Sequence, residues 1–201
     1  MRKPINLAVL LSGSGRTLQN LMDLIEADEL DARISVVISN VADAFGLERA
    51  RKHGIPAVAA PPARIEAELA RHPVDLVALA GYLVFFRIPK SLRGKVMNIH
   101  PALLPSFGGK GFYGRRVHEA VLEAGCKVTG CTVHFADDAY DRGPIIIQRT
   151  VPVLEEDTAD TLAARVFEQE LEAYPEAIQL FAEGRLRIEG RRVRILPAEV
   201  T

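Results

Sequence analysis

The sequence predicts an α/β fold built on a mostly parallel, open sheet. Three observations carry this prediction. Short apolar runs alternate with stretches of helical periodicity, a glycine-rich turn follows the first apolar run, and two long strand-like runs flank a polar turn in the second half. Alternating strands and helices are typical of parallel sheets with right-handed crossover connections.

The first half of the chain alternates strands and helices without interruption. Residues 5–11 are nearly all apolar, as expected of a strand covered on both faces, and apolar residues at helical spacing follow from Leu18 to Ile25. Further strands are expected at 34–39, 55–59 and 74–80, and further helices around 44–50 and 65–69. We therefore predict a Rossmann-like N-terminal half with helices on both faces of the sheet.

The second half changes character and predicts antiparallel edge strands. Residues 127–135 and 144–153 are strand-like runs joined by the polar turn 136–143, so they should pair as neighbours. The other expected elements are a strand at 96–100, a glycine-rich loop at 108–114, helices at 117–122 and 158–181, and a terminal hairpin built from 186–188 and 193–196. No repeat or linker interrupts the chain, so residues 1–201 are predicted to form a single domain.

The composition argues against several classes of function. Apolar residues make up 48% and charged residues 25% of the 201 residues, the usual balance of a globular protein. The net charge of −1 gives no support for binding nucleic acid or a membrane surface. Two cysteines, Cys126 and Cys131, do not make a disulfide framework, so both are expected to be reduced thiols in the core.

Targeting signals are also weak. The basic start Met1-Arg2-Lys3-Pro4 is followed by only a brief apolar run, which breaks at Ser12 without a cleavage site for a signal peptidase. No stretch approaches the roughly 18 apolar residues that span a bilayer. We expect a cytoplasmic protein.

The glycine-rich turn has the features of an anion site. Gly13, Ser14, Gly15, Arg16 and Thr17 follow a buried strand and open a helix, so backbone N–H groups can converge on an anion there. The spacing does not match the dinucleotide pattern G-x-G-x-x-G or the P-loop of nucleotide-binding proteins. A phosphate monoester fits better, although a plain tight turn before a capped helix would use the same residues.

Three polar residues suggest acyl-transfer chemistry. Asn98 and His100 alternate along one predicted strand and so point the same way, and Asp141 lies in a later polar turn. An amide can donate to a developing oxyanion, a histidine can transfer protons near neutral pH, and a carboxylate can fix the histidine tautomer. Each residue alone could be structural, and spacing does not join Asp141 to His100.

A metal site is not expected. His100, His118 and His134 show no short ligand spacing, and none of them pairs with a cysteine in a known zinc pattern. A nucleophile elbow of the G-x-S-x-G type is also missing from the sequence, which favours direct attack by an amine over a covalent enzyme intermediate.

Six stretches together resemble the phosphoribosylglycinamide formyltransferases. The resemblance extends from Leu7 to about Arg187, and its asparagine–histidine stretch and aspartate turn are specific to folate-dependent formyl transfer. The stretches are LLSGSGRTLQNL (10–21), SNVADAFGLERARKHGI (39–55), ALAGYL (78–83), MNIHPALLPSF (97–107), GCTVHFADDAYDRGPIIIQ (130–148) and ARVFEQELEAYP (164–175).

The resemblance implies a reaction and catalytic roles. The enzyme would transfer formyl from 10-formyltetrahydrofolate, as co-substrate and without a metal, to the amine of glycinamide ribonucleotide. Asn98 would stabilise the tetrahedral intermediate by binding the formyl oxygen. His100 would assist and transfer protons, and Asp141 would tune His100 and organise a water molecule that carries protons to the leaving nitrogen.

It also implies binding residues. Residues 1–100 would form the nucleotide-phosphate-binding half, residues 101–183 the folate-binding and catalytic half, and residues 184–201 the terminal hairpin. The substrate phosphate would lie at Gly13–Thr17, and Glu170 would contact the nucleotide. The residues expected to bind folate are Tyr82, Leu83, Val84, Phe86, Phe135, Ala136, Asp137 and Asp138.

Three alternative functions compete with this one. A hydrolase could release formate from the same folate, but such relatives usually carry an N-terminal regulatory domain and should lack a phosphate loop. A methionyl-tRNA formyltransferase would need a nucleic-acid-binding domain and basic charge. A non-catalytic nucleotide-binding protein would leave Asn98, His100 and Asp141 without a purpose. We expect small-molecule substrates only, and a monomer or homodimer.

Overall fold

The computed structural model describes residues 3–198, so Met1, Arg2 and residues 199–201 lie outside it. These residues divide into two compact units. The first comprises residues 3–98 with Ala182–Gly184, and the second comprises Ile99–Phe181 with residues 185–198. The prediction of a single domain stays a prediction.

The first unit is a parallel sheet with helical crossovers. Its strands stand in the order β3-β2-β1-β4-β5, and every neighbouring pair is parallel. The strands are β1 (Ile5–Leu11), β2 (Ala32–Ser39), β3 (Ala57–Ala59), β4 (Leu76–Leu79) and β5 (Val96–His100), at whose Asn98 the unit ends. The helices are α1 (Arg16–Glu26), α2 (Phe45–Lys52) and α3 (Ile65–Leu69), with short 3-10 turns at Pro62–Arg64 and Lys90–Leu92.

The core of the first unit lies along β1. All five residues from Leu7 to Leu11 are 0% exposed. Because successive side chains of a strand point to opposite faces, complete burial of consecutive residues means that both faces of the sheet are covered. This is the reason for the continuous apolar run in the sequence.

The second unit combines antiparallel strands with two helices. Its elements are α4 (Arg115–Glu123), β6 (Val128–Phe135), β7 (Ile145–Pro152), α5 (Ala159–Ala182), β8 (Leu186–Glu189) and β9 (Arg192–Ile195). Strands β6 and β7 are antiparallel, β7 and β9 are parallel, and β8 and β9 form the expected antiparallel hairpin. The register of β6 against β7 shifts between Val133 and His134.

The predicted fold class is confirmed: parallel strands carry the N-terminal half, and antiparallel strands lie in the C-terminal half. Helix α5 continues through Pro175. Both cysteines are free thiols, but only Cys131 lies in the core, where burial raises its pKa to about 12. Cys126 is half-buried, so the prediction of a core position is wrong for this residue. No helix within residues 3–198 is long and apolar enough to cross a membrane.

Candidate active site

The glycine-rich turn lies between β1 and α1 in the first unit. Gly15 has a φ of 70° and immediately precedes the helix, which carries no side-chain cap at this end. The first helical hydrogen bond runs from the N–H of Gln19 to the carbonyl of Gly15, at 2.9 Å. The N–H groups of the first helical turn therefore have no acceptor inside the helix, which is the usual basis of anion binding at such a site.

The two glycines of this turn have different reasons to be glycine. At Gly15 the positive φ and a Cβ position 2.6 Å from Cα of Gly46 both exclude a side chain. At Gly13 no positive φ is required, and an added Cβ would meet nothing within 4 Å. Packing and conformation thus explain Gly15 but leave Gly13 unexplained, and the space beside Gly13 is open.

Ser12 connects this turn to the segment predicted to bind folate. Its hydroxyl donates to Oδ1 of Asn40 at 2.6 Å and accepts from the N–H of Leu83 at 2.9 Å. Leu83 is 53% exposed, and Val84 is half-buried. Tyr82 and Phe86 are buried, and burial raises the pKa of Tyr82.

In the second unit, His100 and Asp141 approach each other. Nδ1 of His100 lies 3.7 Å from Oδ2 of Asp141, and both side chains are almost completely buried. The same carboxylate oxygen accepts the N–H of Gly109 at 2.8 Å. Asp141 has a φ of 54°, a left-handed conformation that Asp tolerates better than most residues, so the turn aims its carboxylate inward at a cost in backbone energy.

Sequence reasoning missed a further member of this cluster, His134. Its Nε2 lies 3.6 Å from Oδ1 of Asp141, and its side chain is 2% exposed. The residue stands at the shifted register of β6 and β7, and such irregularities re-aim side chains. In the sequence, His134 is a candidate only as a metal ligand, and its spacing gives no indication that it contacts Asp141.

Backbone carbonyls determine where the two rings carry their protons. Nε2 of His100 lies 2.9 Å from the carbonyl of Phe107, and Nδ1 of His134 lies 2.9 Å from the carbonyl of Phe135. A carbonyl only accepts, so each of these nitrogens must carry a proton. In neutral rings, the lone pairs of the other nitrogens then face Asp141. His100 can therefore accept a proton at the nitrogen that faces the carboxylate of Asp141.

The pKa directions agree with this arrangement. Burial lowers the pKa of His100, and the charge of Asp141 only partly offsets that effect, so the ring is neutral near pH 7. Burial alone would raise the pKa of Asp141, but the side chains of His134 and His100 and the N–H of Gly109 together lower it. The resting site thus contains a carboxylate and a neutral His100, a combination suited to accepting a proton.

His118 lies close enough to His100 to be affected by its charge. It is 4% exposed, and within residues 3–198 its Nδ1 has no hydrogen-bond partner. Burial lowers the pKa of His118, and His100 lowers it further. A cationic His118 is therefore disfavoured beside this cluster.

The other predicted site residues lie on β5, at and after the end of β6, and on α5. Asn98 is half-buried on β5 and pairs with Leu79 of β4. Phe135 is buried at the end of β6, and its N–H donates to the carbonyl of Pro144 at 2.9 Å. Glu170 is half-buried on α5. Ala136, Asp137 and Asp138 follow β6, with Asp138 exposed.

No group of three or more His, Cys, Asp or Glu side chains in the described part of the chain could hold a metal ion. The fold and the His–Asp cluster together define an α/β protein with a buried acid–base site.

Comparisons with known proteins identify the family to which this α/β protein belongs. The formyl transferase family matches residues 5–178. A phosphoribosylglycinamide formyltransferase of Haemophilus influenzae is 38% identical, with 91% of this chain and 90% of that protein covered. The crystal structure of glycinamide ribonucleotide transformylase 1 from Symbiobacterium toebii is similar with a TM-score of 0.90 and 46% identity, covering 97% of this chain and 95% of that chain.

The chain therefore belongs to the formyl transferase family and, within it, to the phosphoribosylglycinamide formyltransferases, which confirms the resemblance seen in the sequence. A chloroplastic phosphoribosylglycinamide formyltransferase of Vigna unguiculata is also 38% identical over 90% of this chain. The chain spans only 62% of the length of that relative.

Proposed function

We propose that this protein transfers the formyl group of 10-formyltetrahydrofolate to the amine of glycinamide ribonucleotide, a step of purine biosynthesis. The observation that carries the proposal is the buried carboxylate of Asp141 beside a neutral His100, in a chain of this family. A transfer from one nitrogen to another needs a group that accepts a proton near neutral pH and releases it again, and this pair can do so.

The proposed reaction uses no covalent enzyme intermediate. The amine of the ribonucleotide attacks the formyl carbon, a new C–N bond forms, and the formyl oxygen becomes an oxyanion that Asn98 stabilises. The amine loses a proton to the His100–Asp141 pair, directly or through a water molecule. The folate nitrogen receives a proton as its C–N bond breaks, which restores the enzyme.

The residues proposed to bind the phosphate, the nucleotide and the folate lie in both units. The turn Gly13–Thr17 holds the substrate phosphate, and the open space at Gly13 supports this assignment. Glu170 contacts the nucleotide. The folate lies against Tyr82, Leu83, Val84 and Phe86 and the backbone from Phe135 to Asp138, where the exposed side chain of Leu83 supplies an apolar surface.

The protein is proposed to act in the cytoplasm on small molecules alone, as a monomer or homodimer. The net charge of −1 supports neither nucleic acid nor a membrane surface as a partner.

A formyl-transfer assay tests the proposal. Loss of 10-formyltetrahydrofolate is followed with and without glycinamide ribonucleotide, and formate is measured in the same samples. Turnover that requires the ribonucleotide and yields its formylated product supports the transferase. Formate release at the same rate without the ribonucleotide would make the protein a hydrolase and would remove the reason for a phosphate site.

A further inference from the structure

Helix α2 holds the glycine-rich turn by donating hydrogen bonds to two of the turn's backbone carbonyls. The N–H of Gly46 donates to the carbonyl of Gly13 at 3.0 Å, and Nε of Arg49 donates to the carbonyl of Ser14 at 2.9 Å. Gly15 and Gly46 approach so closely that a Cβ on Gly15 would lie 2.6 Å from Cα of Gly46. Two consecutive carbonyls of the turn are therefore fixed towards the same helix.

This anchoring also determines where two N–H groups point. The only cis peptide in residues 3–198 is Leu104–Pro105, so the peptides of the turn are trans. In a trans peptide the C=O and N–H groups point in opposite directions. Because the carbonyls of Gly13 and Ser14 point towards α2, the N–H groups of Ser14 and Gly15 point away from it. Successive N–H groups aligned in this way form an anion-binding concavity.

The guanidinium of Arg49 is itself fixed from two further sides. Its Nη1 donates to Oε1 of Gln19 on α1 at 3.0 Å, and its carbon atom Cζ lies 4.8 Å from the ring centroid of Phe45. Gln19 in turn donates to Oδ1 of Asp23 at 2.8 Å. A planar group with several fixed contacts can define the orientation of a peptide, which the single ammonium of a lysine does poorly.

We propose that Arg49 is a positioning residue for phosphate binding: it holds the carbonyl of Ser14 so that the turn is already shaped for the anion. This inference rests on the proposed function, because the phosphate is that of glycinamide ribonucleotide. A turn that is ordered before binding loses less conformational entropy when the ligand binds, so its pre-organisation raises the affinity for the phosphate.

Four variants test the proposal. Arg49→Gln removes the guanidinium, and Arg49→Lys keeps the positive charge but not the fork of donors. Gly46→Ala changes no charge, but its Cβ would meet Leu11 at 2.5 Å and Cα of Gly15 at 3.2 Å, which displaces the turn. The matched control is Arg51→Gln, an exposed arginine of the same helix. Ribose 5-phosphate is the probe, and its binding is measured by calorimetry without folate or turnover.

The dissociation constant for ribose 5-phosphate is expected to rise about ten-fold in Arg49→Gln, Arg49→Lys and Gly46→Ala, and to stay unchanged in Arg51→Gln. KM for glycinamide ribonucleotide should rise in parallel, with kcat within about two-fold of wild type. Thermal unfolding of each variant reports general damage to the fold, which would lower kcat together with affinity.

Two results would overturn the proposal. One is a dissociation constant for ribose 5-phosphate that equals the wild-type value in Arg49→Gln, or in Arg49→Lys alone. The second case would mean that the positive charge of residue 49, and not the orientation of its donors, determines the affinity. The other is a wild-type protein that does not bind ribose 5-phosphate. The proposed function fails separately, if the wild type binds this probe but does not formylate glycinamide ribonucleotide.

Discussion

His134 faces the carboxylate oxygen of Asp141 that His100 does not face. Its Nε2 lies 3.6 Å from Oδ1, whereas Nδ1 of His100 lies 3.7 Å from Oδ2. Both distances exceed a normal hydrogen bond, and catalytic contacts of this length commonly tighten when substrate binds. Asp141 therefore has two histidine neighbours, one at each oxygen of its carboxylate.

A matched pair of substitutions tests whether His134 positions Asp141. His134→Asn can keep a donor near the carbonyl of Phe135 but loses the group that reaches Asp141, whereas His134→Gln can place its amide near the position of Nε2. We expect kcat to fall about ten-fold in His134→Asn and less in His134→Gln. Steady-state kinetics and the pH dependence of kcat provide the measurement. Equal kcat values and unchanged pH profiles in both variants would show that His134 only fills space.

Replacing Asp141 by asparagine should change the pH profile as well as the rate. The carboxylate raises the pKa of His100 against the larger, opposite effect of burial. Without that charge the pKa of His100 falls further, so the acid limb of the kcat profile should move to lower pH while the maximal kcat decreases. Glu156→Gln, an exposed carboxylate of the same unit, is the control. An acid limb that stays at the same pH in Asp141→Asn would contradict the proposal that the charge of Asp141 raises the pKa of His100.

The fold could be predicted from the sequence because burial produces a recognisable pattern of apolar residues. The complete burial of β1 appears as an unbroken apolar run, and the pairing of β6 with β7 appears as two strand-like runs around a polar turn. The contact of Asp141 with His134 has no such pattern in the sequence, because the contact depends on a shift of register and on a left-handed backbone at Asp141. Both features depend on tertiary structure.

The contact between Arg49 and Ser14 was hidden for a related reason. Arg49 looks like an ordinary basic residue in the last turn of a helix, where lysine and arginine are common. Only the folded chain shows that its Nε reaches a carbonyl of the glycine-rich turn. The glycines themselves were predicted correctly as a turn, but the sequence could not show that Gly15 packs against Gly46 while Gly13 has open space.

Asn98 and His100 should affect turnover far more than nucleotide binding. Their proposed contacts are strongest as negative charge develops on the formyl oxygen and a proton moves, so Asn98→Ala and His100→Ala should each lower kcat by about 10²–10³-fold. The dissociation constant for glycinamide ribonucleotide, measured by calorimetry, should stay near that of wild type. A parallel loss of affinity and kcat, or a collapse of the thermal unfolding transition, would contradict a catalytic role.

His118 should make the protein less stable in mild acid. Burial lowers its pKa in the folded state, so the unfolded chain binds a proton more readily. Its contribution to stability is therefore present above the ordinary histidine pKa of about 6.5 and is lost as the pH falls below that value. His118→Leu removes the buried Nδ1 and should be about 1 kcal/mol more stable than wild type at pH 5.5. Urea unfolding at pH 5.5 and 7.5 measures this difference, and an equal pH dependence in both proteins would refute the assignment.

Gly13 and Gly15 offer a final comparison, because alanine has different consequences at each. Gly13→Ala meets no neighbour within 4 Å, so its thermal unfolding should match wild type. If the phosphate approaches the backbone there, the added methyl group should raise KM for glycinamide ribonucleotide about ten-fold with little effect on kcat. Gly15→Ala should lower stability as well, by about 1 kcal/mol or more, because alanine is strained at a φ of 70° and would press on Gly46. Unchanged KM in Gly13→Ala, with normal stability, would place the phosphate elsewhere on the protein.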